Sequence, residues 1–261
     1  MSFYGNDFLG INGLPMLKDR GITVFSSDQV DSTNSQARRE ILSGNTVCPA
    51  LFLANSQTAG RGRMGRSFFS PSDTGIYMSM AFDITDCDVS SVTRMTSATA
   101  VAVCRAIQSV TGLSPRIKWV NDLYLDGKKI CGILAESFFA CERRYAVIGI
   151  GVNISTDSFP EQIEGIAGSL GCVGDVRREL VSAMACGLFD TVCALQEGDA
   201  SYMDDYRTLS CVLGKTVEIT AEGITKTGVA TAVEDDGALR VALSDGSEIL
   251  LSSGEISLRL R

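Results

Sequence analysis

The chain has 261 residues, 45% of them hydrophobic and 21% charged, the balance of a soluble globular protein with enough apolar material for one large domain and one small one. Its 31 acidic residues against 23 basic ones give a net charge of −8, which disfavours a nucleic-acid partner, and the lack of histidine excludes Ser/His/Asp triads and His-ligated zinc. The start MSFYGNDFLGINGLPM has no basic stretch leading into an apolar block, and no run approaches the roughly 18 apolar residues of a membrane span, so a cytoplasmic protein with no membrane partner is expected.

Apolar periodicity predicts a strand from Ile22 to Ser26, a helix from about Asn34 to Ser43 opened by a Ser32/Thr33 capping signal, and a buried strand from Ala50 to Asn55. A long loop follows, with Gly60, Gly62 and Gly65 interleaved with Arg61, Arg63 and Arg66, too glycine-rich and too charged for a core element. Next come a strand from Ile76 to Asp83, an Ala/Val helix from about Ser91 to Thr111, and several strands across 117–153 with a turn at Asp126-Gly127. Helices that do not strictly alternate with strands predict an α+β protein, a mixed β-sheet covered by helices, and not a doubly wound nucleotide fold. Two further helices are expected over Val176 to Leu195 and Ser201 to Leu209.

From about Cys211 the texture changes to short β runs at Thr216–Ala221, Lys226–Val233, Ala238–Leu243 and Glu248–Ser252, broken by turn signals at Glu222-Gly223, Asp236-Gly237 and Asp245-Gly246. These read as a small β-barrel, which divides the chain into a domain over 1–210 and another over 211–261. Cys48, Cys87, Cys104, Cys131, Cys141, Cys172, Cys186, Cys193 and Cys211 form no C-x-x-C and mostly sit among aliphatic residues, as reduced core filler does; no metal site is expected among them.

Three clusters carry candidate chemistry. In 57–66, Gln-Thr-Ala-Gly-Arg-Gly-Arg-Met-Gly-Arg, glycines let the backbone close over a ligand while forked guanidinium groups meet phosphate or carboxylate; the plainer alternative is a solvated basic turn. Lys118-Trp119-Val120-Asn121-Asp122 and Lys128-Lys129-Ile130-Cys131-Gly132 are joined across a turn, so strand alternation can turn Lys118, Asn121, Asp122 and Lys129 toward one site, although paired lysines also suit a solvated edge. Asp31-Ser32-Thr33-Asn34 reads first as a helix cap, and its hydroxyl and amide groups also suit a neutral polar ring.

With Gly149-Ile150-Gly151-Val152-Asn153, these segments follow the order seen in biotin protein ligases, and the chain resembles that family over most of its length. The resemblance implies a catalytic domain similar to class II aminoacyl-tRNA synthetases and an SH3-like C-terminal barrel. It implies that biotin is activated with Mg-ATP to biotinyl-5'-AMP and passed to a lysine of a biotin carboxyl carrier protein or domain, with ATP, Mg2+ and biotin as the small molecules. Ser32, Thr33 and Asn34 would then meet the ureido ring, with Gln57, Gly60, Arg61, Gly62, Arg63, Lys129 and Gly132 completing its pocket. Arg63, Arg66, Phe68, Lys118, Asn121, Lys129 and Asn153 would line the nucleotide. Arg63, Lys129 and Asp122 would be catalytic, Asp122 accepting or orienting the proton of the acceptor lysine. Two positions depart from the family pattern: Val120 stands where proline is usual and predicts a looser turn, and Phe68 stands where tryptophan is common. A lipoate ligase and a DNA-binding repressor are the alternatives. The intact Gly-Arg loop and Lys-Trp-x-Asn-Asp favour biotin, and about 30 residues before Ser32 are too few for a helix-turn-helix arm. Monomer and homodimer both stay open.

Overall fold

Apolar residues spaced two apart along the central strands send alternate side chains to opposite layers, and the fold is built on that alternation. The computed structural model describes residues 3–12, 14–87, 91–172, 176–221, 224–252 and 257–260. Its larger sheet has eight strands in the order β1 (Phe3–Gly5), β2 (Thr23–Val30), β3 (Ala50–Gln57), β4 (Gly75–Asp83), β8 (Arg143–Asn153), β7 (Lys128–Ala140), β6 (Asp122–Leu125) and β5 (Arg116–Lys118). β1, β2 and β3 run parallel and every other pair is antiparallel, so the sheet is mixed as predicted.

On β3, Leu51 and Leu53 enter the main core while Phe52 joins a second cluster with Ala37 and Ile41 of helix α2 (Thr33–Leu42). The opposite face is covered by α3 (Ser91–Thr111) packed on α5 (Arg177–Gln196), with α1 (Pro15–Asp19) against α5 and α6 (Tyr202–Leu209) against α3. Enclosed between two layers, β4 is buried along nearly its whole length, which is why it reads as a continuous apolar run. Helix α5 is long and apolar enough by composition to cross a membrane, but Leu180, Val181, Met184, Ala185, Leu188 and Val192 are spent on this core. A short α4 (Glu161–Glu164) follows β8.

β9 (Thr216–Ala221), β10 (Ile224–Val233), β11 (Leu239–Leu243), β12 (Glu248–Leu251) and β13 (Ser257–Leu260) form a five-stranded antiparallel sheet in the order β12-β11-β10-β9-β13. The sequence anticipated a barrel here, with four of these strands. Its turns at Asp236-Gly237 and Asp245-Gly246 carry glycines at φ +88 and +83, whereas the Glu222-Gly223 signal lies outside the described residues. The chain crosses between sheets over a few residues: the Cys211 N–H still donates to the Ile117 carbonyl, and the Gly214 N–H already donates to Ala230.

All nine cysteines are free thiols. Cys104 and Cys131 are buried, and burial pushes the Cys104 thiol up to about 12. Cys141 departs from the expected pattern: it is exposed in the β7–β8 turn at φ +47, where it fills no core. Among the described residues no group of three or more Cys, Asp or Glu side chains is placed to hold a metal ion.

Candidate active site

Helix α2 begins where its first turn meets the end of β3 and the middle of β4. Ser32 sits at the N-cap in extended conformation, yet its side chain makes no capping bond; instead Gln57 Oε1 accepts from the Thr33 N–H (2.9 Å) and from Thr33 Oγ1 (3.3 Å). The capping signal therefore marks the helix start correctly, while the cap itself comes from β3. Gln57 is in turn fixed by its amide, which donates to Ser70 Oγ at 2.8 Å. Ser32, Thr33 and Asn34 are all at most 4% exposed. The Ser79 hydroxyl, inside β4, donates to Asn34 Oδ1 (2.6 Å) and lies 2.7 Å from Thr33 Oγ1. Asn34 Nδ2 donates to Glu136 Oε2 (2.9 Å) and to the Leu134 carbonyl (3.3 Å), and Arg61 makes a two-pronged pair with the same Glu136 at 2.8 and 3.0 Å. This end of the site is a closed hydrogen-bond network in which the guanidinium charge is cancelled.

The glycine/arginine segment is a tight loop that folds back on itself. Gly60 O accepts from Phe68 N (2.9 Å), Gly62 N donates to Arg66 O (2.7 Å), and Arg61 and Ser67 form a bridge. The loop lays the Phe68 ring on the sheet over Gly132 and Gly151, which face each other across β7 and β8. A Cβ on Gly151 would come within 2.5 Å of that ring, and one on Gly149 within 2.2 Å of Asn34 Oδ1, so both glycines are required for the close approach. Phe68 thus covers the floor between the two strands.

At the other end Arg63 Nη1 donates to Asn121 Oδ1 (2.9 Å), and the Asn121 amide reaches Asp122 Oδ1 (3.1 Å) and the Ile133 carbonyl (3.0 Å). Burial pulls the Arg63 guanidinium below its ordinary pKa, with Asp122 and Tyr206 opposing that and Arg66 adding to it. Lys129 Nζ lies 2.7 Å from Asp122 Oδ1. It gets there because Lys129 pairs with Tyr124, two residues from Asp122 on the same face of β6; a bulge with Ile130 as the extra residue then sets Gly132 opposite Asp122, on that face too. Lys118 Nζ lies 5.1 Å from the Tyr124 ring centre and 3.4 Å from its hydroxyl, a phenol that burial holds neutral with a pKa of about 12. Arg66 is exposed, and among the described residues it has no ion-pair partner.

The expected residues therefore gather in one place, with refinements. Lys129, expected on the nucleotide side, has its charge offset by Asp122. Asp122 was expected to accept or orient a proton, and its Oδ1 here accepts from Lys129 and from the Asn121 amide. Asn153 is buried and its amide donates to the Gly168 carbonyl (2.9 Å), which fixes the segment after α4. Val120 is 1% exposed, its carbonyl accepts from Tyr206 Oη (3.3 Å), and the neighbouring Trp119 Nε1 donates to Gly237 O (2.9 Å) in the β10–β11 turn. The turn expected to be loose is packed. Sequence reasoning missed Glu136 and Ser79; the available signal was a polar side chain set among apolar neighbours in a predicted strand. A cleft of about 620 Å3 around Cys48, Asp83, Arg143 and Tyr145 lies at the far end of β4 and β8 and shares no residue with this site.

Residues 26–153 match the model of the biotin/lipoate A/B protein ligase family, and residues 212–259 match the biotin protein ligase C terminal domain. The bifunctional ligase/repressor BirA of Bacillus spizizenii is 38% identical over 153 residues, 58% of this chain and 46% of that protein. The chain thus spans about half the length of the Bacillus relatives it matches. The biotin--[acetyl-CoA-carboxylase] ligase of Mycobacterium tuberculosis is 27% identical over 87% of this chain and 86% of its own. Among solved structures, the Aquifex aeolicus biotin protein ligase in complex with biotin and ATP superposes with a TM-score of 0.78 at 24% identity, covering 91% of this chain and 99% of that one, a likeness of fold. One family model thus falls on the strands that build the site and a second on the C-terminal sheet: residues 26–153 carry a biotin/lipoate A/B protein ligase domain and residues 212–259 a biotin protein ligase C terminal domain.

Proposed function

We propose that the chain is a biotin protein ligase that uses ATP to convert biotin into biotinyl-5'-AMP and passes the biotinyl group to one lysine of a biotin carboxyl carrier protein or domain, releasing AMP. One observation carries this reading: a single site joins a neutral, hydrogen-bonded end at Thr33, Asn34 and Gln57 to a cationic end at Arg63, Arg66 and Lys118. A flat neutral ring with a carboxylate tail, met by a triphosphate, needs both. The names of the relatives support it, including a biotin--[acetyl-CoA-carboxylase] ligase and a Leishmania major biotin protein ligase solved with biotinyl-5-AMP at 25% identity and a TM-score of 0.58.

In the first half-reaction a biotin carboxylate oxygen bonds to the α-phosphorus of ATP, the bond to the bridging oxygen breaks, and pyrophosphate leaves. Such a displacement needs positioning and charge stabilisation more than proton transfer, which suits a protein without histidine. Ser32, Thr33, Asn34, Gln57, Arg61, Gly60, Gly62 and Gly132 would hold the ring. Arg63, Arg66, Lys118, Lys129, Asn121, Phe68 and Asn153 would serve the nucleotide side. With Asp122 already bound to Lys129, the donor set fits a Mg2+ carried by triphosphate oxygens and not one caged by the protein. The mixed anhydride is destroyed by water, and the loop over 57–69 would shield it.

In the second half-reaction the acceptor amine attacks the acyl carbon, AMP departs, and the amine loses its proton. Asp122 would act chiefly by holding Lys129 and Asn121 in place. The division at 210/211, a cytoplasmic location, a protein and not a nucleic-acid partner, and a monomer or homodimer complete the proposal. Mass spectrometry of a carrier domain incubated with this protein, biotin and Mg-ATP tests it: one lysine should gain one biotinyl group. Modification only when lipoate replaces biotin would sink it in favour of a lipoate ligase.

A further inference from the structure

Resting on that reading, we propose that Glu136 is a positioning residue that sets the polarity of the biotin pocket. Its carboxylate, at the middle of β7, ties together three separate elements. Oε1 and Oε2 receive both prongs of Arg61 from the loop (2.8 and 3.0 Å), and Oε2 also receives Asn34 Nδ2 from the first turn of α2 (2.9 Å). Two consequences follow from the chemistry.

The first concerns Asn34. Its amide nitrogen faces a carboxylate and the Leu134 carbonyl, which can only accept, while its oxygen faces the Ser79 hydroxyl. The side chain is 4% exposed, and Glu136 thereby decides which way round the amide stands. The second concerns charge. Arg61 is held in a fork by a carboxylate, so the ring end carries no net charge, while Arg63 and Arg66 keep the opposite end positive. A substrate with a neutral ring and an anionic tail is thereby oriented ring inward and carboxylate toward Arg63, the only orientation that leads to adenylation. The pair itself is partly in water, with side-chain exposures of 46% for Arg61 and 28% for Glu136, so it adds little to folding and its effect is read at the site.

The test uses Glu136→Gln in the full chain, followed by biotin-dependent exchange of labelled pyrophosphate into ATP. Glutamine keeps the shape and loses the charge. The KM for biotin should rise about tenfold or more, the scale of a lost hydrogen bond to a charged group, while kcat and the KM for ATP stay within about twofold. Glu136→Asp, which restores the charge on a shorter arm, should recover part of the loss. In Arg61→Gln/Glu136→Gln the KM for biotin should exceed that of Arg61→Gln by a smaller factor than Glu136→Gln alone produces, since the carboxylate acts partly through that arginine and partly through Asn34. An unmoved KM for biotin in Glu136→Gln, or an equal loss in every kinetic constant, overturns the inference. Exchange that is absent with biotin already in the unaltered protein overturns the ligase reading instead.

Discussion

The two ends of the site are built from the same residue types and behave differently. Arg61 and Arg63 are two residues apart on one loop, yet Arg61 is neutralised by Glu136 whereas Arg63 is half-buried against the amide of Asn121, with burial lowering its pKa. At the first end the donors are spent on protein partners, and the pocket is shaped before any ligand arrives. At the second, positive charge is held in place with fewer anions to quench it, which is what a polyphosphate demands. Counting cations along the sequence misses this, because what matters is which of them already have a partner.

The largest expected effect breaks the cationic end. Replacing Arg63 with glycine removes a fixed charge where negative charge develops; adenylate formation should fall about 100-fold or more, and any adenylate made should escape early and label bystander proteins. Retention of adenylate at the unaltered rate would show that the loop shields it without Arg63. A smaller effect separates the two half-reactions. Asp122→Asn frees Lys129, and transfer to the carrier should slow by about tenfold, the size of a lost charge-assisted bond, with adenylation changed less. Transfer at the normal rate would remove Asp122 from the mechanism.

The smallest effect lies outside both ends. Asp31 pairs with Arg39 beside the start of α2, and that hydrogen bond lowers its carboxyl from 3.8 to about 2. A depressed carboxylate stabilises the fold fully above its unfolded pKa, and the contribution is lost as pH falls from about 3.8 through about 2. Both side chains are about half exposed, so the loss should be below about 1 kcal/mol. Acid unfolding curves of Asp31→Asn and the unaltered protein should converge below that window; curves that stay apart there would refute the assignment.

Much of the fold was legible because apolar spacing carries it. The helix over Ser91–Thr111 was placed to the residue, and β3 and β4 to within two residues at each end. β1, α1, α4 and β13 were not, since three to five residues offer no period to detect. At the site, the glycine and arginine residues announced themselves by composition. The partners of those arginines did not: Glu136 lies 102 residues from Asn34 and 75 from Arg61, and only the assembled sheet brings them together. The Lys129–Asp122 pair follows from the hairpin register, which sets Lys129 opposite Tyr124 on the face of Asp122, whereas the one-residue bulge at Ile130 that brings Gly132 to that same face is what simple alternation misses.

The central claim, that the two ends have separate tasks, is tested most directly by comparing Arg61→Gln with Arg66→Gln in the same pyrophosphate exchange assay. Arg61→Gln should raise the KM for biotin about tenfold and leave the KM for ATP nearly unchanged, and Arg66→Gln should do the reverse. Equal shifts of both constants in both variants would contradict the division.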